Sequence, residues 1–223
     1  MHFRHEWKHL LSPGDLPVLR SSLRSVARPD PHGQGGIYRI RSLYFDTPSD
    51  RALREKLEGV NRREKFRLRC YDGDASLIRL EKKSKLDGLC AKQTALLSPE
   101  EVRALLAGEL DWMARSGRDL VWELRQKMIC QLLRPRTIVD YIREAFVYPP
   151  GNVRVTLDYD IRTGLGGTDF LDPDCVTIPA GGAPEILEVK WDAFLPAVIQ
   201  DAVQLPGRRA AAFSKYAACR VYG

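Results

Sequence analysis

Residues 62–71 constrain the fold more than any other stretch of the chain. In Arg62-Arg63-Glu64-Lys65-Phe66-Arg67-Leu68-Arg69-Cys70-Tyr71, the cations Arg63, Lys65, Arg67 and Arg69 take every second position, with Phe66, Leu68 and Cys70 between them. Successive side chains of a β-strand point to opposite faces, so this spacing predicts a strand with one cationic face and one apolar face. Asp72-Gly73-Asp74 reads as a hairpin turn. Beyond it, Leu77 to Lys85 repeats the rhythm, with Arg79, Glu81, Lys83 and Lys85 in one register. Like charges opposed across a sheet cost roughly 0.2–1 kcal/mol per pair, so such a surface needs an anionic partner or interleaved acids.

At 223 residues the chain is long enough for one substantial core, and a single domain over 1–223 is expected. The net charge is only +6, because 29 acids accompany 35 Lys and Arg. The positive excess is therefore local, which suits a pocket for a compact polyanion better than an even basic coat for nucleic acid. A nucleic-acid-binding barrel would also interleave exposed aromatics with its cations, whereas Phe66 and Leu68 fall opposite them. The five cysteines, Cys70, Cys90, Cys130, Cys175 and Cys219, are widely spaced and form no Cys-x-x-Cys pair. That is the pattern of reduced thiols in a cytosolic protein. No stretch approaches the roughly 20 apolar residues of a membrane span, and the start has no signal-peptide core, so a soluble cytoplasmic chain is expected.

Along the chain, strands dominate. Phe3 to Leu11 alternates as a first strand, with His5, Trp7 and His9 in an apolar register read as structural. Ser12-Pro13 predicts a helix to about Val26, with Ser12 as N-cap and Pro13 at the first helical position. Residues 28–36 read as a loop, Tyr38 to Phe45 as a strand and Ser49 to Glu58 as a helix. After the charged hairpin come a strand over Leu89–Leu97, a helix from Ser98-Pro99-Glu100-Glu101 to Ala107, and a helix over Leu120–Leu133. Arg136 to Phe146 and Asn152 to Ile161 form a hairpin of strands, and a Gly-rich loop over Gly164–Ala183 has room for a short strand. Glu185–Trp191 is the last strand, followed by helices near Phe194–Val203 and Arg208–Val221. About eight strands with peripheral helices predict an antiparallel α+β domain.

Charged residues share one face on strand after strand. Arg154, Thr156, Asp158 and Asp160 lie in one register, opposite Val153, Val155, Leu157, Tyr159 and Ile161. Tyr141 and Arg143 share a face, as do Glu188 and Lys190. Turned to a common interior, these faces would enclose a charged cavity, and a barrel of about eight strands is near the size that holds one small ligand. The apolar faces would then point outward beneath the helices.

The ordered set Glu6-x-Lys8, Arg67-x-Arg69, Glu81-x-Lys83, Tyr141-x-Arg143-x-Ala145-Phe146, Arg154-Val155-Thr156-Leu157-Asp158, Glu188-x-Lys190 and Phe213-Ser214-Lys215-Tyr216 resembles the VTC domain, the polyphosphate polymerase domain of the vacuolar transporter chaperone complex. That family belongs to the triphosphate tunnel metalloenzymes, which include the CYTH-type triphosphatases. The resemblance runs from about Phe3 to Tyr216. It implies an eight-stranded antiparallel β-barrel, the triphosphate tunnel, with ATP and inorganic polyphosphate as ligands and Mn²⁺ or Mg²⁺ as cofactor. By position, Lys8, Arg67, Arg69, Lys83, Arg143, Arg154 and Lys215 match the family's phosphate-binding cations. Tyr141, Lys190 and Ser214 fall at substrate-binding positions, and Glu188 at the metal-binding glutamate.

Phosphoryl transfer rests on alignment and charge neutralisation, and Arg forks with Lys point charges suit a chain of phosphates. A hard cation needs a carboxylate beside the phosphate oxygens, for which Glu188 leads. Glu6 and Glu81 have two readings, metal ligand or ion-pair partner of the cations, and Asp158 leans to a structural one. CYTH-type triphosphatases begin with Glu-x-Glu-x-Lys, whereas this chain has Arg4-His5-Glu6-Trp7-Lys8. That favours polymer synthesis over hydrolysis. The alternatives are a triphosphatase of the same fold and a non-catalytic polyphosphate or nucleotide sensor. Within the opening ladder, Arg67 and Arg69 are the expected phosphate contacts, while Arg63 and Lys65, near the strand's start, guide anions to the mouth. A separate membrane partner and the oligomeric state are left open.

Overall fold

The charged hairpin forms as the alternation requires: Arg63–Tyr71 and Asp74–Leu86 pair antiparallel, with Arg67 opposite Glu81 and Lys65 opposite Lys83. The structure is a computed structural model that describes residues 4–86, 89–205, 207, 210 and 212–221, with Leu89 described by its backbone alone. Its strands are β1 (His5–Leu11), β2 (Arg28–Pro29), β3 (Ile37–Asp46), β4 (Arg63–Tyr71), β5 (Asp74–Leu86), β6 (Leu89–Leu97), β7 (Arg134–Tyr148), β8 (Val153–Thr163), β9 (Ile178–Pro179) and β10 (Glu185–Trp191). Its helices are α1 (Asp15–Val26), α2 (Arg51–Leu57), α3 (Pro99–Leu106), α4 (Asp111–Ala114), α5 (Asp119–Cys130), α6 (Ala197–Ala202) and α7 (Lys215–Ala218). Among the described residues, no helix is long and apolar enough to cross a membrane.

The ten strands form one antiparallel sheet in the order β1-β10-β8-β7-β3-β4-β5-β6, with β2 added on β7 and β9 on β8. This corrects the expected closed eight-stranded barrel. Among the described residues, β1 and β6 do not pair, and the free side of β1 instead bridges to the C-terminal segment at His9–Ala210. Twist nevertheless curls the sheet on itself. Lys83 of β5 reaches Glu6 of β1 at 3.8 Å, although five strands separate them in the order.

The outward faces carry the core. Phe66, Leu68, Cys70, Ile78 and Leu80 pack with Leu43 and Phe45 under Val102, Leu105, Val121, Leu124 and Met128 of α3 and α5. On the other half, Phe146, Val153, Val155, Leu157, Leu187 and Val189 pack under Leu16, Leu19 and Leu23 of α1 and Ile199 of α6. Each such fully buried side chain contributes roughly 1.5–3 kcal/mol, so the helices seal the outer wall and leave the inner face to polar groups. α3 starts on a capping box of Ser98 and Glu101, as the sequence predicts.

Other boundaries differ for local reasons. α1 starts at Asp15 with Gly14 as N-cap, and the Asp15 carboxylate accepts from the Ser12 backbone N–H at 2.7 Å, so Ser12 is capped rather than capping. α6 begins only after Pro196. The expected helix over Arg208–Val221 reduces to α7, and Arg208, Arg209 and Ala211 lie outside the described residues, as does Phe3 of the expected first strand. In β8 a bulge at Asp160, with φ 48°, shifts the register against β7. The extra residue turns Ile161 and Thr163 inward, so Asp160 does not continue the face of Asp158, and Ile161 joins Tyr141 and Tyr44 instead of Leu157.

Candidate functional site

Register places the charged alternation on the concave face. Lys8 pairs with Glu188, which pairs with Thr156; Glu6 pairs with Lys190, which pairs with Arg154. Arg143 lies between Asp158 of β8 and Tyr38 of β3, and Arg67 between Tyr44 and Glu81. Period-two alternation on β1, β4, β5, β7, β8 and β10 thus lines one interior with Lys, Arg, Tyr and a few acids.

Three buried acids organise these cations. Glu188 has Lys190 at 2.8 Å, Arg143 at 3.6 Å and Lys8 at 3.7 Å. Burial alone would raise its carboxyl, but Lys190, Lys8 and Arg143 hold it well below the usual range. Asp158 accepts from two nitrogens of Arg143 at 2.6 and 2.8 Å and from Lys215 at 2.6 Å. Against the penalty of full burial, these cations bring it down to about 2. Glu81 pairs with Arg67 at 2.6 Å, Lys92 at 2.5 Å and Arg69 at 3.7 Å, and is likewise held at about 2 against its burial.

The tyrosines complete the lining. Arg69 donates to the Tyr141 hydroxyl at 3.2 Å, and the Tyr141 ring lies 4.6 Å from the Lys215 ammonium. Arg154 donates to the Tyr38 hydroxyl at 2.8 Å and pairs with Asp30 at 2.7 Å. Arg67 donates to Tyr44 at 2.9 Å; burial would raise that phenol, yet Arg67, Arg69 and Lys65 draw it down to about 8. α7 enters from the C-terminal side, stacking Tyr216 on Tyr44 with ring centroids 4.9 Å apart and anchoring its hydroxyl on Asp46 at 2.6 Å.

All thirteen residues singled out from the sequence therefore lie along this face. Lys8, Arg143, Lys190, Lys215 and Glu6 are linked by ion pairs through Glu188 and Asp158, Arg67 and Arg69 gather on Glu81, Tyr141 touches both groups through Lys215 and Arg69, and Lys83 bridges to Glu6. Ser214 accepts from Lys65 at 3.2 Å and caps α7 through Ala217. Arg154 is held at its own station by Asp30. Lys65 lies against α7, donating to Ser214 and facing the Tyr216 ring. Four further participants escaped the sequence reading: Tyr38 and Tyr44 on alternate positions of β3, Lys92 and Asp30. Lys92 follows Cys90 and precedes Thr94 in the same β6 register, a signal open to reading. Asp30 is a loop residue with no periodic signal at all.

The acids offer a hard cation carboxylates in pairs: Glu188 shares Lys8 with Glu6 and Arg143 with Asp158. Among the described residues, no three His, Cys, Asp or Glu side chains converge to cage an ion. Glu6 and Glu188 share Lys8, at 2.6 and 3.7 Å, whereas Glu81 shares no ion pair with either. One or two carboxylates completed by phosphate oxygens and water is the coordination Mg²⁺ ordinarily takes at phosphate sites.

A family model described as the VTC domain matches residues 3–222. No curated protein matches the sequence. Among solved structures, a Bacillus halodurans protein described provisionally as an adenylate cyclase superposes with a TM-score of 0.51. It is 17% identical, over 85% of this chain and 80% of that one, a likeness that bears on the fold alone. A Pyrococcus horikoshii protein, 13% identical over 91% of this chain and 88% of its own, gives 0.47.

Proposed function

Because this chain belongs to the VTC domain family, we propose that it is a polyphosphate polymerase that moves the γ-phosphate of ATP onto a growing phosphate chain. A terminal oxygen of the chain attacks Pγ, the bond from Pγ to the β-bridging oxygen breaks, and its electron pair leaves with ADP. The observation that carries this reading is the concave face on which Glu188, Asp158 and Glu81 each serve two or three cations. Shared acids leave this face with positive charge in excess, which is what a polyanion neutralises.

Arg67 and Arg69 present planar forks to phosphate oxygens, while Lys8, Lys190 and Lys215 supply movable point charges. When phosphate enters, it replaces carboxylate oxygens at these donors, and Asp158 keeps Arg143 and Lys215 aimed in its absence. Glu188, helped by Glu6, would hold Mn²⁺ or Mg²⁺, which supplies charge neutralisation at the transferring phosphoryl group. Glu81, enclosed by Arg67, Arg69 and Lys92, aligns those cations. Arg4 supports synthesis over hydrolysis: it pairs with Asp192 at 2.9 Å and offers no second carboxylate beside Glu6. Incubation with ATP and Mn²⁺, following ADP, free phosphate and chain length together, separates the readings. ADP with lengthening chains supports the polymerase, free phosphate without chains favours a triphosphatase, and binding without turnover favours a sensor.

A further inference from the structure

On this face Lys65, held against α7, has no acid of its own, as is also true of Lys85 and of the neighbouring Lys56 among the described residues. Lys8, Lys190, Lys215, Lys83 and Lys92 each have a carboxylate within 4 Å, and Lys65 has none among the described residues. Its ammonium donates to Ser214 at 3.2 Å and lies 5.6 Å from the Tyr216 ring centroid. The acids that line the crevice beside it are committed elsewhere. Asp46 accepts from Ala52 and Leu53 at the start of α2 and from Tyr216, Glu55 pairs with Arg51, and Glu64 pairs with Lys82 and Lys127. Its other charged or titratable neighbours are Tyr44, Lys56, Arg63 and Lys83. A part-buried ammonium among cations is costly unless an anion meets it.

Resting on the polyphosphate reading above, we propose that Lys65, the Ser214 hydroxyl and Arg67 form a subsite that binds one phosphoryl group of the chain. Lys65 and Arg67 lie two apart on one face of β4, and Ser214 is brought opposite by α7. The subsite is thus assembled from both ends of the sequence. Burial, aided by Lys56, Arg63 and Lys83, lowers the Lys65 ammonium to about 8 against the opposing pull of Tyr44. Anion binding here therefore draws a proton onto Lys65 above that pH. In the free protein Lys65 lowers stability, and in the complex it strengthens binding.

The test is calorimetric titration of the full chain with tripolyphosphate in chelator, for wild type, Lys65→Met, Lys65→Arg and Ser214→Ala. Lys65→Met is expected to weaken binding by roughly tenfold or more, the size of one hydrogen bond to a charged group. Lys65→Arg recovers most of that loss, and Ser214→Ala loses less. Lys65→Met also melts at or above the wild-type temperature, which a merely structural lysine would not do. At about pH 9 the wild type takes up more protons on binding than Lys65→Met, read from heats in buffers of different ionisation enthalpy, with Tyr44 contributing to both. Equal affinity and equal proton uptake in wild type and Lys65→Met overturn the subsite while leaving the polymerase reading intact. Wild type that fails to bind tripolyphosphate overturns both.

Discussion

Arg143 grips Asp158 through two nitrogens, at 2.6 and 2.8 Å, with no part of the Asp158 side chain exposed. Lys215 closes on the same carboxylate from α7. On the proposed function, the buried acid stands in for the phosphate oxygens these cations would receive. Asp158→Asn takes from Lys215 its carboxylate partner and leaves Arg143 with Glu188 alone, at 3.6 Å, and is expected to lower stability by roughly 3–5 kcal/mol. Urea unfolding with and without tripolyphosphate checks this: the ligand restores more stability to the variant than to the wild type. A variant within about 1 kcal/mol of wild type in buffer alone would deny Asp158 this role.

Acid should loosen the same framework. Asp158 and Glu81 ordinarily titrate at 3.8 and 4.5, and in the folded chain both are held at about 2. The native state thus binds fewer protons, so their contribution is fully present above about pH 4.5 and is lost as pH falls towards 2. Thermal melts along that range are expected to show a steep fall in Tm for wild type. In Glu81→Gln the melt starts lower at neutral pH, because Arg67 and Arg69 lose their partner, but falls less on acidification. Parallel curves for the two proteins would contradict the assignment.

Turnover should depend on Arg67 and Glu188 beyond any effect on folding. Arg67→Ala removes a fork that meets Glu81 and Tyr44, and Glu188→Ala removes the acid that gathers Lys8, Lys190 and Arg143. Each is expected to cost about 10²-fold or more in kcat, the scale of losing one preorganised electrostatic contact. Circular dichroism confirms the fold in both. Wild-type rates in folded variants would refute the site.

Metal dependence distinguishes Glu188 from Glu81. Chelation is expected to abolish turnover, and Mn²⁺ or Mg²⁺ to restore it. Glu188→Gln should need roughly 10–100 times more metal for half-maximal rate. Glu81→Gln should lower the rate with an unchanged metal requirement, since its carboxylate serves Arg67, Arg69 and Lys92. A shift of equal size in both variants would place Glu81 at the metal.

Periodicity made the charged inner face legible because β4, β5, β8 and β10 are two-faced, with the apolar face under helices and the charged face inward. Glu185–Trp191 was readable to the residue for that reason. Asp160 was not, since a positive φ at a non-glycine leaves only an Asp, one of the residues that tolerates it, as its trace. Closure was misread because alternation specifies faces, whereas the pairing of first and last strands depends on twist and on the C-terminal segment that bridges His9. Lys65 shows the same limit: register put it on the inner face, but its contact with Ser214 depended on where α7 docks.

The central claim is most directly tested with ATP labelled at the γ-phosphate, incubated with the protein, Mn²⁺ and a short polyphosphate primer. Label recovered in chains longer than the primer, with one ADP per phosphate added, is the result expected. Label recovered only as free phosphate, with primer length unchanged, would contradict it.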